Sequence, residues 1–217
     1  YITKNLRTAN EKKRRLVISS TNDLHVEKET QQVHYILGRP TYGFKEKKRN
    51  TVSVLSHILG EGSSSRLFQK VREENGIAYQ INTFLNSFFD ISTFGVYLST
   101  NDKSVHKAQD LIFEEIKKIK EKRVSTIELN RAKEYLIGNM LMSLESTTNR
   151  MLRIAQAMIY FNKIRSVEET VRHIQAVTTK DILEISNEIF DPSNKLENGA
   201  LTRVILSPKN LLLQKVA

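Results

Sequence analysis

Arg72 and Tyr79 stand seven residues apart in the stretch GEGSSSRLFQKVREENGIAY, which runs from Gly60 to Tyr79. A guanidinium offers five donors in a fixed plane and a phenol offers one more, so such a pair can hold the backbone carbonyls of a bound peptide. Between them lies Gly76, and glycine accepts the left-handed backbone that often closes a helix before the chain turns into a strand. On spacing alone, a surface arginine and a half-buried tyrosine are the commoner outcome, and that alternative stays open at this level.

Other chemistries are thinly supplied. There is no cysteine, so disulfides and thiolate nucleophiles are excluded, and a metal site would need histidine and carboxylate ligands. The five histidines are His25, His34, His57, His106 and His173, and none is close enough in sequence to another to project a pair of imidazoles from one helix face. Each reads singly as a surface or satisfied core residue, and the chain shows no zinc site of its own. The cluster Ser63-Ser64-Ser65 lacks both the Gly-Lys-Ser/Thr ending of a phosphate loop and the third glycine of a dinucleotide fingerprint. It reads instead as a turn between helices in which one of the serines caps the second helix. No serine occupies a Gly-x-Ser-x-Gly elbow.

The elements that must position these residues follow from periodicity. Gln32–Leu37 reads as a strand ended by Gly38 and Pro40, and Val52, Leu55, Ile58 and Leu59 repeat at helical spacing up to Gly60. Leu67, Phe68 and Val71 mark one face of a short helix closed by Gly76. Alternation around Ile77–Asn82 and Thr93–Leu98 predicts a hairpin turning at Asn86–Asp90. Beyond it, Val105 to Ile119 is amphipathic, and Ser125-x-x-Glu128, Ser166-x-x-Glu169 and Thr178-x-x-Asp181 are helix starts. Ser146-Thr147-Thr148 interrupts one helical pattern before Met151, Ile154, Ala155 and Met158 resume it, and LTRVIL at 201–206 reads as a last strand. The fold class is α+β, an antiparallel-rich mixed sheet with helices packed on one face. Residues 1–28 read as a linker or N-terminal arm, 29–207 as the domain and 208–217 as a C-terminal tail.

The 217 residues carry a formal charge of +10. A polyanion partner is one reading of that charge, and a nucleic-acid-binding domain would show steeply salt-sensitive affinity. The basic runs EKKRR at 11–15, KEKKR at 45–49 and KKIKEKR at 117–123 are interleaved with glutamate, which favours a solvated surface and makes nucleic acid the weaker rival. Neither a signal peptide nor an apolar run of about 18 residues is visible, so the chain reads as soluble with its compartment undetermined. It begins at Tyr1, which fits an excised segment at least as well as a natural start.

LGEGSSSRLFQKVREENGIAYQINTF, with ISTFGVYLST at 91–100 and LNRAKEYLIGNMLMSLESTTNRMLRIA at 129–155, resembles the second homologous domain of the pitrilysin/insulinase family of zinc metallopeptidases, in the branch that includes mitochondrial processing peptidase. Glu61 and Ser63 stand where relatives often have Gly and Met. The resemblance implies a clamshell of two similar α+β halves, whose first half carries His-x-x-Glu-His and binds zinc. That motif is absent here, so this chain alone is expected to be inactive, with zinc held by a preceding or partner domain. Arg72 and Tyr79 match the family's arginine and tyrosine and are implied to be substrate-binding, holding peptide carbonyls. The resemblance implies the substrate-binding half of a zinc metalloendopeptidase, with the N-terminal zinc-bearing domain and a peptide as partners. The alternative it allows is a non-catalytic homologue serving as scaffold or peptide-recognition subunit.

Overall fold

The computed structural model describes residues 23–190 and 201–208. Five strands form one sheet in the order β1-β5-β2-β4-β3: β1 Asp23–Glu27, β2 Val33–Tyr42, β3 Gln80–Ser87, β4 Ile91–Thr100 and β5 Thr202–Ser207. Every neighbouring pair is antiparallel except β1 and β5, which run parallel. The period of two puts Val33, Tyr35 and Leu37 of β2 beside Leu98 and Val96 of β4, all buried under the helices. Their neighbours His34, Ile36 and Tyr97 occupy the opposite face, where His34 Nδ1 lies 2.9 Å from the Tyr97 hydroxyl.

The helices are α1 Lys48–Gly60, α2 Val105–Glu121, α3 Thr126–Ser143, α4 Thr147–Phe161, α5 Val167–Gln175 and α6 Thr179–Phe190. The predicted start signals close as capping hydrogen bonds: the Glu128 amide donates to Ser125 Oγ at 3.1 Å, and the Glu169 amide to Ser166 Oγ at 3.1 Å. Thr178 and Asp181 cap each other reciprocally, satisfying two amides that the helix cannot. Among the described residues no helix is long and apolar enough to cross a membrane.

One difference concerns the amino-terminal boundary. Asp23–Glu27, inside the segment read as an arm, form β1, and Arg203 of β5 reaches Asp23 with two hydrogen bonds of 3.2 and 2.7 Å. All five residues of β1 are exposed, so no buried alternation marks them as a strand. The remainder of the arm and the tail after Pro208 lie outside the described residues, as does the Asp191-Pro192 helix stop.

α4 inverts the usual amphipathic arrangement. Its inward side carries Arg153, Ala157, Tyr160 and Phe161, all only half-buried, whereas Met151, Ile154, Met158 and Ile159 face outward and are 43–79% exposed. Tyr160 packs on Phe44 and Phe89 with ring centroids 5.5 and 5.4 Å apart, so the helix is attached by an aromatic cluster rather than by its aliphatic stripe.

α1 sits centrally, and its last residue all but touches β3. A Cβ on Gly60 would lie 2.6 Å from both the backbone nitrogen and Cγ2 of Thr83, closer than atoms can approach. Gly60→Ala therefore has to move the helix end off the strand; it is expected to lower stability by about 1–3 kcal/mol. Urea unfolding measures this, and a variant as stable as the parent contradicts the close approach.

Candidate functional site

The chain leaves α1 through Glu61–Ser65 and enters a π-helix, Phe68–Glu73, that carries Arg72. Its defining bond spans five residues: the Glu74 amide donates to the Gln69 carbonyl at 2.9 Å. Such wide turns persist where packing enforces them, and here Leu67 and Val71 are fully buried beneath it. Arg66 fixes its start, gripping Glu128 of α3 with Nε and Nη2 at 2.6 and 2.9 Å, a two-pronged pair that sets orientation as well as distance. The predicted serine cap is not formed. Ser65 Oγ donates backward to the Gly62 carbonyl at 2.7 Å, and the serine cluster stabilises its own turn rather than the helix after it.

Arg72 is exposed, with its guanidinium 5.1 Å from the centroid of the Phe68 ring. Among the described residues no carboxylate pairs with it, so its donors remain available to a ligand. The ring confines the side chain through a cation–π contact without using any donor. After Arg72, Gly76 takes φ +63° and its amide donates to the Arg72 carbonyl at 3.0 Å, which closes the helix.

Tyr79 follows directly. β3 begins one residue later, at Gln80, so Ile77 and Ala78 belong to the connection and not to the strand. The Tyr79 amide already donates to the Ser99 carbonyl at 2.9 Å, which locks its backbone to β4, while its side chain is 60% exposed. The structure thus places Arg72 and Tyr79 on either side of one short reversal, both facing solvent. Among the described residues neither lines the cavity built along α1.

That cavity, of about 530 Å³, opens between α1, α3 and β3 and was not foreseen from the sequence. Along α1, Arg49, Ser53, His57 and Glu61 recur every four residues and form its polar wall. His57 is buried; its Nε2 lies 3.2 Å from Glu61 Oε2, its ring meets Tyr135 edge-on at 5.4 Å, and Nδ1 has no hydrogen-bond partner. Glu61 is held in turn by Ser56, whose hydroxyl donates to Oε1 at 2.5 Å. Burial pushes the His57 imidazole below its ordinary value, with the Glu61 carboxylate opposing. The four-residue spacing across Gly60 was the available signal for the pair, which reading each histidine singly misses. His57 and Glu61 supply one imidazole and one carboxylate, short of the three protein ligands a zinc ion commonly needs, and among the described residues no cluster of three histidine or acidic side chains could hold a metal.

Residues 5–136 match the family described as the peptidase M16 inactive domain. An uncharacterized zinc protease of Streptomyces coelicolor is 32% identical over 163 residues, covering 75% of this chain and 36% of that protein. The uncharacterized zinc protease YmxG of Bacillus subtilis is 29% identical over 170 residues, covering 78% of this chain and 42% of its own length. The chain therefore spans less than half the length of these relatives. Among solved structures, a peptidase M16 inactive domain from Pseudomonas fluorescens superposes with TM-score 0.72 at 19% identity over 92% of this chain and 45% of that one. A protease from Helicobacter pylori does so with TM-score 0.74 at 22% identity, over 87% and 44% of the two chains. At these identities the likeness is one of fold.

The His57 pair has a pH signature. In the unfolded chain the imidazole takes up its proton near pH 6.5, and in the folded chain only at lower pH. Between those points the unfolded state binds more protons, so stability rises with pH, is full above about 6.5 and is lost as pH falls. Replacing His57 by Gln is expected to flatten the change in urea midpoint between about pH 7.5 and about pH 5.5. Parallel pH profiles for parent and variant contradict this assignment.

Proposed function

The chain belongs to the peptidase M16 inactive-domain family, and we propose that it is the substrate-holding half of a zinc metalloendopeptidase, with Arg72 and Tyr79 gripping the backbone of an extended peptide. The observation that carries this reading is the disposition of those two side chains. Each is anchored through its backbone or an adjacent ring, each faces solvent, and each keeps its donors uncommitted among the described residues. A catalytic partner domain goes with an inactive domain in this family, and on this reading that partner holds the zinc. The outward apolar side of α4 supports the same reading, because exposed aliphatic patches of this kind mark surfaces that another domain or chain covers.

On this chain the chemistry is positioning. Arg72 supplies a fixed cation to a substrate carbonyl, and Tyr79 supplies a hydroxyl donor that strengthens as charge develops on that oxygen. Holding the peptide in one register also removes part of the entropic barrier. In the assembled two-half enzyme, Arg72→Ala and Tyr79→Phe are each expected to lower kcat/KM by on the order of 10²-fold while the zinc content stays at the parent level. Steady-state kinetics with parallel metal analysis tests this, and unaltered turnover in both variants overturns the site.

A further inference from the structure

A second cavity, of about 570 Å³, lies between α1, α3, α4 and α5 and shares Arg49 with the first. Two of its lining residues are guanidiniums, Arg49 and Arg153, and among the described residues no aspartate or glutamate lines it. Arg49 is half-buried, stacks 4.0 Å over the Phe44 ring and donates to Ser87 Oγ at 3.3 Å; among the described residues no carboxylate pairs with it. Its pKa is lowered to about 10, first by burial and then by the like charge of Arg165. Arg153 donates to Thr170 Oγ1 at 2.8 Å and to the Met140 sulfur at 3.7 Å, again without an acidic partner. Half-buried cations held only by neutral groups run against the rule that buried charges are paired.

The other walls say what kind of anion fits. Leu136, Met140, Leu152 and Ile174 make one side apolar, while Asn50 and Gln156 add amides. A free phosphate would leave the aliphatic wall unused, whereas a carboxylate on a compact apolar body meets both surfaces. The volume lies inside the range of about 300–1,000 Å³ usual for small-ligand sites. We propose that this cavity binds the free C-terminal carboxylate of a short apolar peptide, with Arg49 and Arg153 receiving the carboxylate and the α3–α4 wall receiving the terminal side chains. That a peptide is the source of the carboxylate rests on the peptidase reading above; the cavity chemistry does not.

Calorimetric titration of the full chain with acetyl-Leu-Leu, once with a free carboxylate and once as the C-terminal amide, tests the proposal. The acid is expected to bind about tenfold or more tightly than the amide, and Arg49→Gln or Arg153→Gln to weaken the acid by about tenfold to a hundredfold. Thermal melts check that each variant folds, and Arg153→Gln gives the same readout should Arg49→Gln fail to fold. Arg72→Ala is expected to leave the preference for acid over amide unchanged, so failure of the carboxylate site and failure of the peptide-gripping site are separable. Equal binding of acid and amide, no binding of either, or indifference to both arginine substitutions overturns the proposal. Octanoate binding in place of the peptide acid overturns the peptide source.

Discussion

The contact between the end of α1 and the middle of β3 is the constraint on which the rest of this domain depends. Gly60 lets the helix end against Thr83 without a side chain between them. The Thr83 hydroxyl donates to the Ser56 carbonyl at 2.8 Å, and the Ser56 hydroxyl carries the chain of bonds on to Glu61 and so to His57. A steric fit and a chain of buried hydrogen bonds therefore act at one place, which makes the arrangement specific as well as close. From that fixed point the chain has one way to proceed. The turn at Gly62, the Arg66–Glu128 pair and the burial of Val71 direct the π-helix, and Gly76 returns the chain to the same sheet at Tyr79.

The two sides of that reversal are stiffened differently. Tyr79 inherits the rigidity of the sheet, because its amide joins the β3–β4 ladder and Thr100 Oγ1 donates to the carbonyl of Ile77 just before it. Arg72 sits on a turn whose hydrogen-bond ring is one residue wider than an α-helix allows. Its order comes from the buried Leu67 and Val71 below and the Phe68 ring beside it. On the proposed peptide-holding reading, the pair joins a donor fixed by the sheet to one held in place by packing.

What was legible in the sequence is what local rules encode. The caps at Ser125, Ser166 and Thr178 are decided within four residues, and the β3–β4 hairpin by alternation and one turn, so both could be read. β1 could not, because its partner β5 lies about 180 residues away and no residue of β1 is buried to leave a pattern. The π-helix differs from the predicted helix by a single shift of hydrogen-bond partner, which side-chain periodicity over two turns cannot resolve. Arg49 closes the run KEKKR, whose composition reads as solvated; Lys45 and Lys47 are exposed, but Arg49 turns onto Phe44 and into the cavities. Only tertiary placement separates it from its neighbours.

The α3–α4 hairpin shows why the described surface is chemically lopsided. All four methionines of the chain, Met140, Met142, Met151 and Met158, lie on these two helices, and three of them are well exposed. An unbranched thioether adapts its shape to what covers it, so concentrating it on an outward face favours contact with another surface over contact with water. Turning that face outward forces the polar and aromatic side of α4 inward, and Arg153 with it, against α3 and α5. The inward arginine then shares a cavity with Arg49 in which, among the described residues, no acidic side chain neutralises either. The exposed aliphatic stripe and the carboxylate-free cavity are thus two sides of one choice of helix orientation, and among the described residues nothing covers the one or neutralises the other.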